Sequence, residues 1–481
     1  MAERRPSPLL ITPTSPRTAQ KRIRHHEFLV PVHKKSLCLR QFEPYHAEAM
    51  KGFANYAREL EVLVLDAAAK SGDPKCRQRI EAALDGEPSA RSRASIPIDD
   101  LRSNGAFFTS RELAKQLIST IEPQLVDGAV VSDVACGTGN LLTACAYHLP
   151  ILSDVGLTLE LWGRLLSGTD IHEEFVRTTR ARIALVALER GAPLGSQRIS
   201  LESSFPQITV GDAFHQTEII SQAECIPLNP PFTTMTAPLN CTWATGKVST
   251  AALMLETCVL NAKPGTRIVA ILPEVLRTGS HYLRWRWEIE RIARIDSVEV
   301  VGLFDLWTDV DVFILRLTVG RQDVVSGEGW WKSDERVQVS AKRFGDLFEV
   351  RVGPVVPHRD PHLGSWYPFI HAHDLPAWTT VNIDESSSHR RFPGTTYTPP
   401  FVVVRRTSRP GDKKRAVSTV IRGKRTVAVE NHLVVLKPKD GLLRTCRDGL
   451  EKLQSSDTDV WLNERIRCRH LTVSSIGEIP W

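Results

Sequence analysis

The chain has 481 residues, 42% apolar and 24% charged, an ordinary balance for a soluble globular protein with room for two to four domains. Its net charge of +6 permits a polyanionic partner without demanding one. No apolar run approaches the ~18–20 residues that span a bilayer, no hydrophobic signal segment opens the chain, and the nine cysteines show neither C-x-x-C pairs nor zinc spacing. The expectation is a cytoplasmic protein with buried thiols, no bound metal and no membrane contact.

Residues 1–38 are rich in Pro, Ser, Thr and basic residues without periodicity, which reads as a basic, poorly ordered arm. Residues 39–100 read as a helical cap. Ala47, Met50, Phe53, Ala54, Tyr56, Ala57 and Leu60 recur at helical spacing, and a second short helix is expected from Arg77 to Leu84. The polar stretch Asp85 to Arg93 then leads into Asn104-Gly105-Ala106-Phe107-Phe108-Thr109-Ser110 and an amphipathic helix carrying Leu113, Leu117, Ile118 and Ile121.

Residues 101–320 read as one catalytic domain, within which strand-like and helix-like runs alternate from 129 to 319. Strands are expected near 129–134, 166–170, 207–212, 224–228, 266–272, 297–304 and 311–319, and helices near 140–149, 172–190, 250–262 and 281–294. Such alternation implies right-handed crossovers, a parallel sheet, and a ligand site at the carboxyl ends of the strands. The first strand runs into Asp133-Val134-Ala135-Cys136-Gly137-Thr138-Gly139, where the glycines let the backbone approach a ligand and turn into a helix. There is no G-x-x-x-x-G-K-[ST] stretch, which argues against a triphosphate loop. Asp170 ends the second strand and can accept both hydroxyls of a ribose; it serves equally well as a helix cap. It lies 37 residues beyond Asp133, more than the usual ~20, so 148–163 is taken as an insertion. Asp212 ends the third strand, as an acceptor for an amino group or as a plain turn aspartate.

The fourth strand stops at Leu228-Asn229-Pro230-Pro231-Phe232. The prolines stiffen the loop. The Asn229 oxygen and the Pro230 carbonyl can both accept from an NH2 group, and Phe232 can stack on its ring, which suits a planar ligand with an exocyclic amine. A strand-end turn with a core phenylalanine is the plainer alternative.

In this order the three stretches resemble the DNA N6-adenine methyltransferases of the γ arrangement, which include restriction–modification enzymes. Asn104–Ser110 is similar to that family's G-x-F-F/Y-T-P segment, Asp133–Gly139 to its S-adenosylmethionine loop, and Asn229–Phe232 to its N/D-P-P-F/Y/W catalytic loop. Val134 and Ser110 stand where the family usually has proline. The resemblance implies an α/β, Rossmann-like class I S-adenosylmethionine-dependent methyltransferase domain, with Asp311–Val319 as an antiparallel seventh strand. It implies cofactor contacts from Phe108, Thr109, Asp133, Ala135, Gly137, Gly139, Asp170, Ile171, Asp212 and Ala213. Catalysis falls to Asn229, Pro230, Pro231 and Phe232 on a flipped adenine, with Phe304 and Trp307 as candidates for a second aromatic wall.

After a linker from Gly320 to Gly329, residues 330–481 lose the alternation. Short β-like runs (352–356, 401–404, 417–421 and 433–436) lie among basic residues. Between 389 and 425 eleven Lys/Arg face Asp412 alone. Such a run is commonly a solvated face. Beside a base-methylating core it is expected to form a β-rich, target-recognition-like domain on double-stranded DNA, through Arg405, Arg406, Arg409, Lys413, Lys414 and Arg415. No nuclease P-D…D/E-x-K pattern occurs in the first hundred residues, so any cutting would fall to a separate restriction or defence subunit. Methylation of RNA or of protein glutamine, and a noncatalytic binding role, are the competing expectations.

Overall fold

The computed structural model describes residues 47–69, 73–97, 100–101, 108–194, 199–305, 307–308, 310–320, 330, 342–386, 388–467 and 469–481. The expected arm at 1–38, the Asn104–Phe107 stretch and most of the Gly320–Gly329 linker lie outside them. Residues 42–481 form one compact unit.

At its centre is a seven-stranded sheet. Its strands are β1 (Val131–Asp133), β2 (Leu166–Asp170), β3 (Ile208–Val210), β4 (Cys225–Leu228), β7 (Arg267–Pro273), β8 (Ala293–Leu303) and β9 (Asp311–Val319). A small hairpin, β5 (Thr234–Thr236) with β6 (Lys247–Ser249), follows the Asn229 loop. The order across the sheet is β3-β2-β1-β4-β7-β9-β8. The first five strands are parallel, and β9 inserts antiparallel between β7 and β8. This is the doubly wound, Rossmann-like class I methyltransferase topology expected from the sequence. The strand order reverses between β1 and β4, and a crevice opens at their carboxyl ends.

Apolar strand runs and amphipathic helices account for the layers. Helix Glu173–Glu189 buries Val176, Ile183, Leu185 and Val186 in the core of this domain. One side of it takes helix Ala47–Ala69 of the expected cap. Phe53 meets Phe175 edge-on at 4.9 Å, and Arg177 donates twice to Glu61, at 2.8 and 2.7 Å. One core cluster therefore runs unbroken from Met50 to Ile314. The cap also contains helices Pro74–Leu84 and Glu87–Ser95. The second of these occupies most of the stretch expected to be merely polar. The 148–163 stretch, taken as an insertion, contains most of helix Val155–Leu165, whose Trp162 is fully buried and donates to the Pro150 carbonyl at 2.9 Å.

The C-terminal region carries two further sheets, ordered β10-β17-β14-β15-β12 and β13-β11-β16. The strands are β10 (Phe348–Val352), β11 (Ser365–Ile370), β12 (Thr380–Asn382), β13 (His389–Phe392), β14 (Phe401–Arg405), β15 (Ser418–Arg422), β16 (Ala428–Val429) and β17 (Leu433–Pro438). Helices Leu443–Leu453 and Ser456–Arg465 cover the larger sheet. Leu443, Cys446, Leu450 and Leu453 of the first were a readable helical stripe that sequence reasoning passed over.

Candidate active site at the sheet switch point

The loop after β1 is bent by two glycines with positive φ, Gly137 at 51° and Gly139 at 82°. Three contacts pin it: the Cys136 N–H to the Thr169 carbonyl at 2.9 Å, the Gly137 N–H to Asp170 Oδ2 at 3.1 Å, and Thr179 Oγ1 to the Gly137 carbonyl at 2.9 Å. A Cβ on Gly139 would stand 2.7 Å from Thr179 Cγ2, so this glycine is needed for close packing of the loop on helix Glu173–Glu189.

A cleft with about 890 Å³ of open space, part of it facing solvent, lies over this loop. It is lined by Phe108, Thr109, Asp133, Ala135, Gly137, Asp170, Ile171, Asp212, Ala213, Asn229 and Pro231, all named from sequence. Gly139 is not in the lining; it faces Thr179 instead. Pro230 and Phe232 are not in the lining either. Phe232 packs edge-on against Phe304, centroids 5.4 Å apart. Trp307 is half exposed and lies under the Arg93 guanidinium at 5.7 Å, so of the two wall candidates only Phe304 meets Phe232 among the described contacts. Sequence reasoning missed Cys136, Thr138, Asn140, Leu141, His172, Phe175, Gly211, Phe214 and Met254, which complete the lining with Val134. His172 and Phe214 sit within two residues of acids already singled out. Met254 comes from helix Thr250–Asn261 and carried no local signal.

The three acids differ in their surroundings. Asp133 is 1% exposed, and burial pushes its carboxyl up from 3.8 to about 7; the Ala135 N–H at 3.2 Å opposes the shift, and the charge of Asp170 adds to it. A cation beside this carboxyl would favour its charged form. Asp170 accepts from the Gly137 N–H, and its Oδ1 from both the backbone N–H (2.9 Å) and the ring Nδ1 (3.0 Å) of His172. The cap is His172, so Asp170 braces the loop rather than ending the helix. Asp212 caps a short 3-10 turn through the Phe214 N–H at 3.0 Å and has His215 Nδ1 3.3 Å away. Burial holds the Cys136 thiol well above its usual range, so it is a neutral wall rather than a nucleophile.

Asn229 is oriented from behind. Its Nδ2 donates to Thr109 Oγ1 at 2.9 Å, which sets the direction of the amide. Asn140 Nδ2 donates to the Thr109 carbonyl at 2.7 Å, and Arg182 Nη1 donates to Asn140 Oδ1 at 2.5 Å and to the Thr138 carbonyl at 2.6 Å. Arg182 also donates through Nε to the Ala83 carbonyl, 2.8 Å away, in the cap. Ser110, where the similar family has proline, earns its place by capping helix Arg111–Ile118 through the Leu113 N–H at 3.2 Å.

The basic run of the C-terminal region does not act as one surface. Arg415 is 1% exposed and donates to the carbonyls of Leu462 (3.0 Å) and Ile466 (2.6 Å), which removes it from any contact with DNA. Arg390 is also buried. Arg405 and Arg406 are half-buried and hold the carbonyls of Leu375 and Asn431 at 2.7 and 3.0 Å. Arg409, Lys413 and Lys414 are exposed.

No family model and no curated protein matches the chain. Solved structures do. A modification subunit of a putative type I restriction enzyme from Vibrio vulnificus is 18% identical over 51% of this chain and 49% of its own, with a TM-score of 0.37. The type IIL restriction–modification enzyme MmeI, solved in complex with DNA, is 11% identical over 82% of this chain and 70% of its own, with a TM-score of 0.49. The type IIG restriction endonuclease BpuSI is 14% identical over 90% and 70%, with a TM-score of 0.42. The chain thus spans about half the length of the first and 70% of the other two.

Two outcomes follow from this geometry. Asp133 has a folded-state pKa above its unfolded one, so the folded protein holds a proton between 3.8 and about 7 that the unfolded chain sheds. Its contribution therefore turns against folding as pH rises through that window. Asp133→Asn should remove this, so that the variant's melting temperature gains on the wild type's between pH 5 and 8; a constant difference would refute the assignment. Arg182→Met leaves buried carbonyls unpaired and should cost about 3 kcal/mol or more in denaturant unfolding.

Proposed function

We propose that this chain transfers a methyl group from S-adenosylmethionine to N6 of an adenine flipped out of DNA, at specific sequences, within a restriction–modification or phage-defence system. What carries the reading is the meeting, in one cleft at the switch point, of Asn229 and Pro231 with Gly137, Asp170 and Asp212.

The lining suits the cofactor. Asp133, a buried carboxyl in want of a cation, would take the ammonium of the methionine end, beside Phe108 and Thr109. Asp170 would accept the ribose hydroxyls, Ile171 and Phe214 would flank the adenine ring, and Asp212 would accept its amino group. When bound, the cofactor supplies an electrophilic methyl on a sulfonium; its carbon–sulfur bond breaks as N6 takes the carbon, and the surplus proton leaves N6 to water.

The chain's own task is to make a poor nucleophile react. The N6 lone pair of adenine is conjugated into the ring. Asn229 and the Pro230 carbonyl would hold its two N–H bonds, drawing the nitrogen toward tetrahedral geometry and freeing the lone pair. Oriented acceptors meeting the positive charge that builds on N6 are worth a few kcal/mol, and alignment of the reactants several more. Phe232 would offset part of the stacking lost on flipping, with Phe304 behind it. No strong base is required.

DNA would meet the exposed Arg409, Lys413 and Lys414 together with a β-ribbon. On β13, His389 and Arg391 face outward, and Arg391 pairs across the ladder with the exposed Trp366, its guanidinium 5.3 Å from the ring. Arg425 lies 2.7 Å from His389.

Methyl transfer should be assayed in parallel on duplex DNA, structured RNA and protein, with the methylated position identified. Transfer to adenine N6 in DNA is expected; transfer to RNA or glutamine alone, or to none, would displace the reading. Asn229→Ala should lower turnover at least ~100-fold with cofactor affinity within about twofold. Replacing Arg409, Lys413 and Lys414 together by alanine should flatten the slope of log K for DNA against log salt by about 1 per lost phosphate contact.

A further inference from the structure

The segment 464–467 of the C-terminal region meets the carboxyl edge of the central sheet one strand away from Asn229. Helix Glu274–Thr278 starts where β7 ends, beside β4. Its Arg277 and Glu274 form a pair only 1% and 2% exposed, and Arg277 Nη2 donates to the Glu464 carbonyl at 3.0 Å. Arg467 Nε donates to Asp311 Oδ1 at 3.4 Å. Asp311 opens β9 and lies across the ladder from Leu303, the last residue of β8.

The second half of this contact is the β8 bulge. The register shifts between Val300 and Gly302, and Gly302 has φ of +98°. A Cβ built there would lie 3.4 Å from Arg467 Nη2, so the guanidinium lies over the bulge. Bulges re-aim the side chains that follow. Two residues on is Phe304, whose N–H donates to the Val310 carbonyl at 2.9 Å and whose ring meets Phe232 edge-on, the planes 86° apart. Asp305 Oδ1 accepts the N–H groups of Trp307 and Thr308, at 2.7 and 2.6 Å, and fixes the turn between β8 and β9. Contact is therefore continuous from Arg467 to Phe232, and none of its members lines the cofactor side of the cleft.

We propose that Arg467 is a positioning residue for the base pocket: from the C-terminal region it holds the β8–β9 turn, and with it Phe304, against Phe232. The pocket's role, though not the positioning itself, rests on the adenine-methylating reading above. Through this contact, DNA seated on the C-terminal region bears directly on the aromatic pair that receives the extruded base.

The test uses the full chain and two readouts. Without any ligand, hydrogen exchange at the Phe304, Trp307 and Thr308 amides should quicken several-fold in Arg467→Gln and in Asp311→Asn. Exchange should return toward wild type in Arg467→Lys, and the double variant should be no worse than either single one. With duplex DNA, Arg467→Gln should lower kcat about tenfold, with KM for the cofactor unchanged. The loss should shrink when the target adenine is left unpaired in the duplex. Unchanged exchange in both single variants overturns the proposal, as does faster exchange with an undiminished kcat. A wild-type chain that methylates no DNA, while exchange responds as stated, overturns the adenine reading and leaves the positioning standing.

Discussion

One buried guanidinium holds the site together. Arg182 is 1% exposed, and burial pulls its pKa down to about 10 against the opposing charges of Tyr56, Tyr147 and Asp85. It is sustained by carbonyl dipoles from two directions, Ala83 in the cap and Thr138 in the glycine loop, and by the Asn140 amide. Through Asn140 and Thr109 the same group reaches Asn229. The cap is thereby tied into the cleft rather than laid over it, and the glycine loop and the Asn229 amide share one support. Buried polar networks of this kind specify a unique arrangement when every member is satisfied and fail sharply when one is removed.

The cleft separates its electrostatics by depth. Asp133 lies deepest, where burial raises its pKa to about 7, whereas Asp170 and Asp212 are only partly buried. The floor is apolar and is set from outside the central sheet, since Phe53 of the cap packs on Phe175, which in turn meets Phe108 at 5.7 Å. A ligand with a cationic end and a planar polar end fits that gradient in one direction only.

The central sheet was legible because its strands are short apolar runs ended by acids, glycines and prolines, and the local chemistry of each end survives in the fold. Apart from Phe108 and Thr109, which lead into helix Arg111–Ile118, the cleft residues anticipated from sequence sit at or just past such ends. Part of what was missed lies next to residues already named, such as His172 and Phe214, and the rest came from distance or from burial. Met254 and Asn140 enter through packing and hydrogen bonds that no spacing encodes. Helix Glu87–Ser95 buries Pro88 and Ser92 rather than an apolar stripe, so periodicity had nothing to report. Composition likewise could not tell Arg415, satisfied by interior carbonyls, from Lys413 in water, because charge counting is blind to burial.

The eleven-residue β8 closes one side of the central sheet, with β9 as its only partner strand among the described residues. A long border strand with open main-chain groups invites other chains to add to it. Here that border is roughened by two register irregularities and studded with Arg294, Asp296 and Glu299. Fibril-like stacking needs flat, uncharged borders. The distortion just before Phe304 thus also discourages aggregation, and smoothing it would endanger solubility.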